Sequence, residues 1–295
     1  MDKAIEDDYM KLIAIDMDGT LVNKQLKVTK ENSKVISQAV KEGHHVVIAT
    51  GRSYDEARHT LEDADLHLPL ICVNGAEIRS QDWEILSSVP LKQTQYEDIK
   101  TILDEEDIYY ELYTSKGTFT DNREKAYEVM KDIVLTSNPE ATDDDVEKAA
   151  LRRFRLGLVS VVGDFTKLLE QEGMEVYKFL AFSSKSEKLQ QAFKRLKGLE
   201  ALAVSSSADN NLEITNFEAQ KGIALKRYAE LKEIPLENTM AVGDNYNDVS
   251  MLEIAGFPVA MGNAVDEIKE IAAFVTKDND QSGVAFAIQK FLEEK

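Results

Sequence analysis

The chain has 295 residues, with 54 Asp and Glu against 35 Lys and Arg, for a net charge of −19. That length suffices for one large domain or two medium ones. The charge argues against a polyanionic partner such as nucleic acid, and 43% apolar with 30% charged residues is an ordinary globular composition. The single cysteine, Cys72, leaves no intrachain disulfide and fits a reducing compartment. Met1 to Tyr9 is acidic and has no apolar stretch of the kind a secretory leader needs. No apolar run reaches the length of a bilayer span. The expectation is a cytoplasmic protein with no membrane association and nothing that points to a protein partner.

Lys11 to Ile15 reads as a short buried strand that runs into the polar turn Asp16 to Thr20. A helix follows, with Thr29 as its N-cap and Val35, Ile36, Ala39 and Val40 on its apolar face. Gly43 ends it. His45 to Thr50 is a second buried strand. Ser53 caps a second helix that runs to about Asp65, and Leu70 to Val73 is a third strand. The rhythm of strand, helix and strand is that of a parallel α/β sheet. It returns at the other end of the chain. There the expected strands are Thr239 to Val242, Pro258 to Met261 and Ala273 to Thr276. Helices fall near 247–255 and 265–272, and an amphipathic helix follows Gly283.

The middle has a different pattern. From about Ser87 to Asn216, helices mix with alternating strands. Arg153, Arg155, Gly157 and Val159 alternate with Phe154, Leu156, Leu158 and Ser160, which reads as a strand with exposed arginines. Asn211 to Thr215 reads as another strand, and the acidic stretch Glu140 to Glu147 as a solvated loop or helix start. An α+β segment is thus inserted into an α/β domain that is discontinuous in sequence. The aromatics Tyr109, Tyr110, Tyr113, Phe119 and Tyr127 are expected in the core of the inserted segment.

In open α/β sheets, ligands bind beyond the carboxyl ends of the strands. The residues there are Asp16-Met17-Asp18-Gly19-Thr20, Thr50-Gly51-Arg52, Asn74-Gly75 and Gly243-Asp244-Asn245-Tyr246-Asn247-Asp248. Clustered carboxylates without a basic neighbour are costly unless a cation holds them. An all-oxygen donor set suits Mg²⁺. Lys221, at the start of an expected helix, offers a point charge beside backbone amides that favour a phosphate.

Asp16-Met17-Asp18-Gly19-Thr20, Thr50-Gly51-Arg52, Lys221 and Gly243-Asp244 with Asn247-Asp248 resemble, in order, the four motifs of the haloacid dehalogenase (HAD) superfamily. The second aspartate, Asp18, likens the chain to the phosphatase branch. The long insertion before Lys221 is similar to the α+β cap of Cof-type, subfamily IIB, members. So are Val73-Asn74-Gly75-Ala76 and Ser282-Gly283-Val284-Ala285. The likeness covers all but the first eight or nine residues.

The resemblance implies an α/β fold: a Rossmann-like, doubly wound parallel sheet with an inserted α+β cap domain. The catalytic core would span 1–86 and 217–295, and the cap, which selects substrate, 87–216. The implied activity is Mg²⁺-dependent hydrolysis of a small phosphorylated metabolite through an aspartyl-phosphate. Sugar phosphates and flavin- or pyridoxal-type phosphates are the implied substrate class. Asp16 would be the nucleophile and Asp18 the acid and then the base. Asp16, Asp244 and the backbone carbonyl of Asp18 would hold Mg²⁺, with Asp248 orienting its waters. The amides of Met17 and Gly51, with Thr50, Lys221 and Asn247, would hold phosphate oxygens. Apart from the resemblance, their place near the rim makes Arg52 a candidate for contact with substrate or cap and Asn74 a candidate for contact with substrate. Two other readings stay open: a phosphotransferase or mutase that passes the phosphoryl group to a sugar, and a non-catalytic sensor of phosphate ligands.

Other patterns lead nowhere. Neither a Gly-x-Gly-x-x-Gly nor a P-loop occurs. Asp278-x-Asp280-x-Ser282-Gly283 begins like a calcium loop, but Gln289 stands where the bidentate glutamate belongs. His44, His45, His59 and His67 lack metal-site spacing.

Overall fold

The computed structural model describes residues 10–137, 142–206 and 209–293. Met1 to Tyr9 and the start of the acidic stretch, Glu140 and Ala141, lie outside the described residues. Two compact units emerge: one runs to Ser88 and resumes at Ala219, and the other is Val89–Glu218.

The first unit opens with β1 (Leu12–Asp16), α1 (Lys30–Lys41), β2 (His45–Ala49), α2 (Tyr54–Glu62) and β3 (Leu70–Cys72). An antiparallel pair follows, β4 (Glu77–Arg79) and β5 (Ile85–Ser88). Every residue of β1 is buried, as its unbroken apolar run requires of a strand covered on both faces. Thr29 caps α1 by accepting from the Asn32 amide, and Ser53 forms a capping box with Glu56 on α2. The buried face of α1 is Asn32, Ile36 and Ala39. Val40, expected on it, is exposed. Asn32 is buried in its place because its amide group joins two distant segments. It donates to the Leu21 carbonyl at 3.3 Å and accepts from the Ala285 amide at 3.0 Å.

The second unit contains α3 (Gln93–Glu105), β6 (Tyr109–Thr114), β7 (Gly117–Thr120), α4 (Arg123–Ser137), α5 (Asp143–Arg155), β8 (Ser160–Val161), α6 (Phe165–Leu169), β9 (Val176–Phe182), α7 (Ser186–Lys197), β10 (Leu202–Ser205) and β11 (Asn211–Asn216). Its six strands are ordered β10-β11-β9-β6-β7-β8. Tyr96, Ile99 and Leu103 of α3, with Leu189 and Leu196 of α7, pack with Leu112 and Phe179 of the sheet. Tyr109, Tyr110 and Tyr113 are buried, and Phe119 packs on the same cluster as Tyr110. Tyr127 is half-buried.

The strand expected over Arg153 to Ser160 does not form. The helix α5 runs through Arg155, and only Ser160 and Val161 are strand. A short two-residue alternation does not exclude a helix. Arg152, Arg153 and Arg155 lie in the last helical turn, where cations meet the negative end of the dipole. Gly157, at φ +70°, then ends the helix, its amide bonding to Phe154 O and that of Leu158 to Arg153 O. Arg153 does not stand free on a strand face: it pairs with the buried Glu111 and donates to Tyr113 Oη at 2.9 Å.

The chain returns to the first unit with α8 (Lys221–Leu231), β12 (Thr239–Gly243), α9 (Val249–Ile254), β13 (Phe257–Ala260), α10 (Asp266–Ile271), β14 (Phe274–Val275) and α11 (Gly283–Glu293). The eight-stranded order is β14-β13-β12-β1-β2-β3-β4-β5. The pairs from β14 to β3 are all parallel, so the sheet is doubly wound with an antiparallel hairpin on one edge. From β1 the chain winds outward through β2 and β3, and from β12 it winds the opposite way through β13 and β14. The strand order therefore reverses between β1 and β12, and a crevice opens there beyond the strand ends. Among the described residues, no helix is long and apolar enough to cross a membrane.

Candidate active site

The crevice at the reversal point gathers Asp16 from the end of β1, Asp244 just after β12 and Lys221 from the first turn of α8. Lys221 Nζ lies 2.6 Å from Asp16 Oδ1 and 2.6 Å from Asp248 Oδ1, with its side chain fully buried. Burial alone would lower the lysine pKa, but Asp16 and Asp248 hold it above its ordinary value, so Lys221 is an ammonium. The helix can come this close because Gly222 has no Cβ: one there would lie 2.1 Å from Ser250 O.

Asp248 has both carboxylate oxygens engaged. Oδ1 meets Lys221, and Oδ2 accepts from the amides of Asp244 and Asn245 at 2.9 and 3.1 Å. It is thereby a strut that fixes Lys221 and the Asp244 loop. Asp244 accepts from Thr20 Oγ1 at 2.9 Å. Burial pushes the carboxyl of Asp16 up, and Asp248 and Asp244 push it further. Burial and Asp248 likewise raise Asp244, to about 7.

Oxygens of Asp16, Asp244 and Asp248 lie within 4.8 Å of one another, a cluster that could hold a metal ion. The donor chemistry fits a hard divalent cation: every candidate ligand atom is a carboxylate oxygen. Asp248 has both oxygens bonded to protein donors, three bonds in all, whereas Asp16 and Asp244 are less engaged and so are the better placed to take such an ion. Burial and the charge of Asp248 raise both pKa values, and Asp244 adds to the rise at Asp16; a cation between the two would relieve that cost.

Gly19 makes the first loop compatible with this arrangement. Its φ is +79°, and a Cβ there would fall 2.3 Å from Asp244 Oδ2. Gly19→Ala is expected to cost about 1–3 kcal/mol of stability and to displace the Asp244 carboxylate. Thermal melting reads the first effect and the turnover rate the second. An unchanged melting temperature would mean that the loop has another way to accommodate the methyl group.

The remaining expected residues fall as follows. Thr50 is fully buried after β2, and its Oγ1 accepts from the Arg52 amide at 3.1 Å. Gly51 is half-buried beside it. The Met17 side chain is buried, which anchors the loop between Asp16 and Asp18. Asn247 Nδ2 points at Asn74 Oδ1, 3.5 Å away. Val73, Asn74 and Gly75 all have positive φ, a tight kink that turns the buried Asn74 into the crevice region. Asp18 is exposed and is not part of the buried cluster; both of its oxygens are bonded to Arg52, at 2.7 and 2.5 Å. Arg52, expected to reach toward substrate, is therefore committed to Asp18 in this structure.

Sequence reasoning missed Asn263 and Asn279. Asn263 Nδ2 donates to the Gly19 carbonyl at 2.8 Å, while its Oδ1 accepts from the Asn279 amide. Asn279 Nδ2 donates to Val22 O at 2.9 Å. Asn263 follows Gly262 just beyond β13, so the strand-end rule that found the other residues also finds it. Asn279 carries no such signal.

The model for the haloacid dehalogenase-like hydrolases matches residues 13–288. The chain belongs to this family. Phosphatase YwpJ of Bacillus subtilis is 39% identical over 285 residues, covering 96% of this chain and all of that protein. The B. subtilis 5-amino-6-(5-phospho-D-ribitylamino)uracil phosphatase YwtE is 36% identical over 285 residues, 96% of this chain and 98% of that one. A solved haloacid dehalogenase-like hydrolase from B. subtilis superposes with a TM-score of 0.85 at 38% identity, covering 95% of this chain and 99% of that one. The α/β fold and the family agree with the expectations drawn from the four motifs.

Proposed function

We propose that this chain is a Mg²⁺-dependent phosphatase that hydrolyses monoesters of small phosphorylated metabolites, with Asp16 as the nucleophile. The observation that carries this reading is the buried Asp16–Lys221–Asp248 chain beside Asp244 at the point of strand reversal. A carboxylate is nucleophilic without a base once it is ionised, and the charge of Lys221 favours the ionised form of the buried Asp16. What it needs is orientation and protection from repulsion by the incoming dianion. Lys221 supplies both, holding one Asp16 oxygen and placing a positive charge beside the reacting phosphorus.

In the first step an Asp16 oxygen forms a bond to phosphorus, the ester P–O bond breaks, and Asp18 gives its proton to the departing alkoxide. In the second, Asp18 takes a proton from water as that water attacks phosphorus, and Asp16 is released with inorganic phosphate. The Met17 and Gly51 amides, Thr50 and Asn247 hold the non-transferring oxygens. Mg²⁺, held by Asp16, Asp244 and the Asp18 carbonyl, would supply the charge that lets a phosphate approach three carboxylates. Asp248 keeps Lys221 and the Asp244 loop in place. The unit Val89–Glu218 supplies leaving-group selection, and the enzyme works in the cytoplasm, where the buried Cys72 stays a thiol.

The test is phosphate release from a panel of sugar phosphates, flavin mononucleotide, pyridoxal phosphate and 5-amino-6-(5-phospho-D-ribitylamino)uracil, with Mg²⁺ and with EDTA. Release is expected with Mg²⁺, to vanish in EDTA and to return when Mg²⁺ is restored. Release that persists in EDTA would remove the metal from the reading. No release from any compound by folded, Mg²⁺-supplied protein would favour a ligand sensor.

A further inference from the structure

The proposed acid and base, Asp18, is the most exposed of the motif carboxylates, with 52% of its side chain open to solvent. A solvated carboxylate on a loop samples several rotamers. Proton exchange with a leaving group requires one of them, because the donor must lie within hydrogen-bond reach of the departing oxygen. Something must choose that rotamer.

Arg52 is placed to do so. Its Nε and Nη2 meet the two Asp18 oxygens at 2.7 and 2.5 Å, a fork that fixes the carboxylate plane as well as its position. The guanidinium is the anchored partner. Its side chain is 19% exposed, and Nη1 donates to Thr60 Oγ1 at 2.8 Å. Thr60 in turn donates to the Glu56 carbonyl within α2, and the Arg52 amide donates to Thr50 Oγ1. The capping box of Ser53 and Glu56 fixes the start of that helix. Orientation thus passes from α2 through Thr60 and Arg52 to a side chain on the loop after β1.

We infer that Arg52 is a positioning residue that acts through Asp18: its Thr60-anchored guanidinium fixes the rotamer and plane of the carboxylate, and one Asp18 oxygen leaves the fork to carry the proton to the leaving group and then to take one from water. This rests on the phosphatase reading above. It differs from the sequence expectation that Arg52 reaches toward substrate. A residue that binds substrate contributes whether or not Asp18 can work; a residue that acts through Asp18 does not.

A double-mutant cycle separates the two roles. Steady-state constants are measured with Mg²⁺ on the best substrate of the panel for wild type, Arg52→Ala, Arg52→Lys, Thr60→Val, Asp18→Asn and the Arg52→Ala, Asp18→Asn double variant. Melting curves confirm that each is folded. Arg52→Ala is expected to lower kcat by ~10²-fold with KM within about threefold of wild type. Arg52→Lys recovers little of this, because an ammonium restores the charge but not the fork. Thr60→Val, which touches neither substrate nor Asp18, lowers kcat several-fold at unchanged KM. On the Asp18→Asn background, Arg52→Ala changes kcat by no more than about twofold.

Fully additive losses in the cycle, or a raised KM with kcat intact, would make Arg52 a substrate ligand and overturn the inference while leaving the phosphatase reading standing. A wild type that releases no phosphate from any panel compound would overturn that reading, and this inference with it.

Discussion

Asp16→Asn is expected to lower kcat by ~10⁴-fold or more while the protein stays folded. The amide is nearly isosteric with the carboxylate and keeps an oxygen for Lys221 Nζ, but it is a poor nucleophile toward phosphorus. Stability should hold or rise. Burial and the neighbouring Asp248 and Asp244 push the Asp16 carboxyl up, so its ionised form costs the folded state energy. An uncharged side chain removes that cost. Phosphate release and a thermal melt on the same sample check both halves. Turnover within about 10²-fold of wild type would take Asp16 out of the nucleophile role.

Lys221→Ala is expected to have the largest effect on stability, a loss of about 3–5 kcal/mol, together with loss of turnover. Its ammonium is fully buried between Asp16 and Asp248, whose side chains are 6% and 0% exposed. Removing it leaves two buried carboxylates facing each other, with Asp244 nearby and no compensating charge. The urea midpoint measures the loss. The double variant Asp16→Asn, Lys221→Ala should be more stable than Lys221→Ala alone, because one uncompensated charge is gone. A loss below about 1 kcal/mol for Lys221→Ala would show that the ion pairs do not hold the crevice together.

These two effects concern residues that the sequence singled out, and the reason is local. Strand ends can be read from apolar runs that stop at polar, glycine-containing turns, and the carboxylates of this site stand at such ends. The Thr29 and Ser53 caps were legible for the same reason, since capping depends on a few neighbouring residues. The helix α5 was not. Over Arg153 to Ser160 the side-chain pattern repeats every second residue. The backbone is nonetheless helical to Arg155, where the Gly157 cap and the Glu111 partner of Arg153 decide. Val40 fails similarly: it lies close to the apolar stripe of α1, but burial goes to Asn32, which ties Leu21 to Ala285.

The amino-acid sequence alone carries the α/β class, the order of the strands along the chain and the motif residues that follow the strand ends. Each is written in short-range periodicity and in side-chain chemistry at the turns. Folding alone settles which carboxylates share Lys221 and that Arg52 is bonded to Asp18. Those partners lie 205, 27 and 34 residues apart in the chain. No local pattern carries such pairings. They follow from where the sheet reverses its winding, which sets the end of β1 against the end of β12 and leaves the buried charges to find one another.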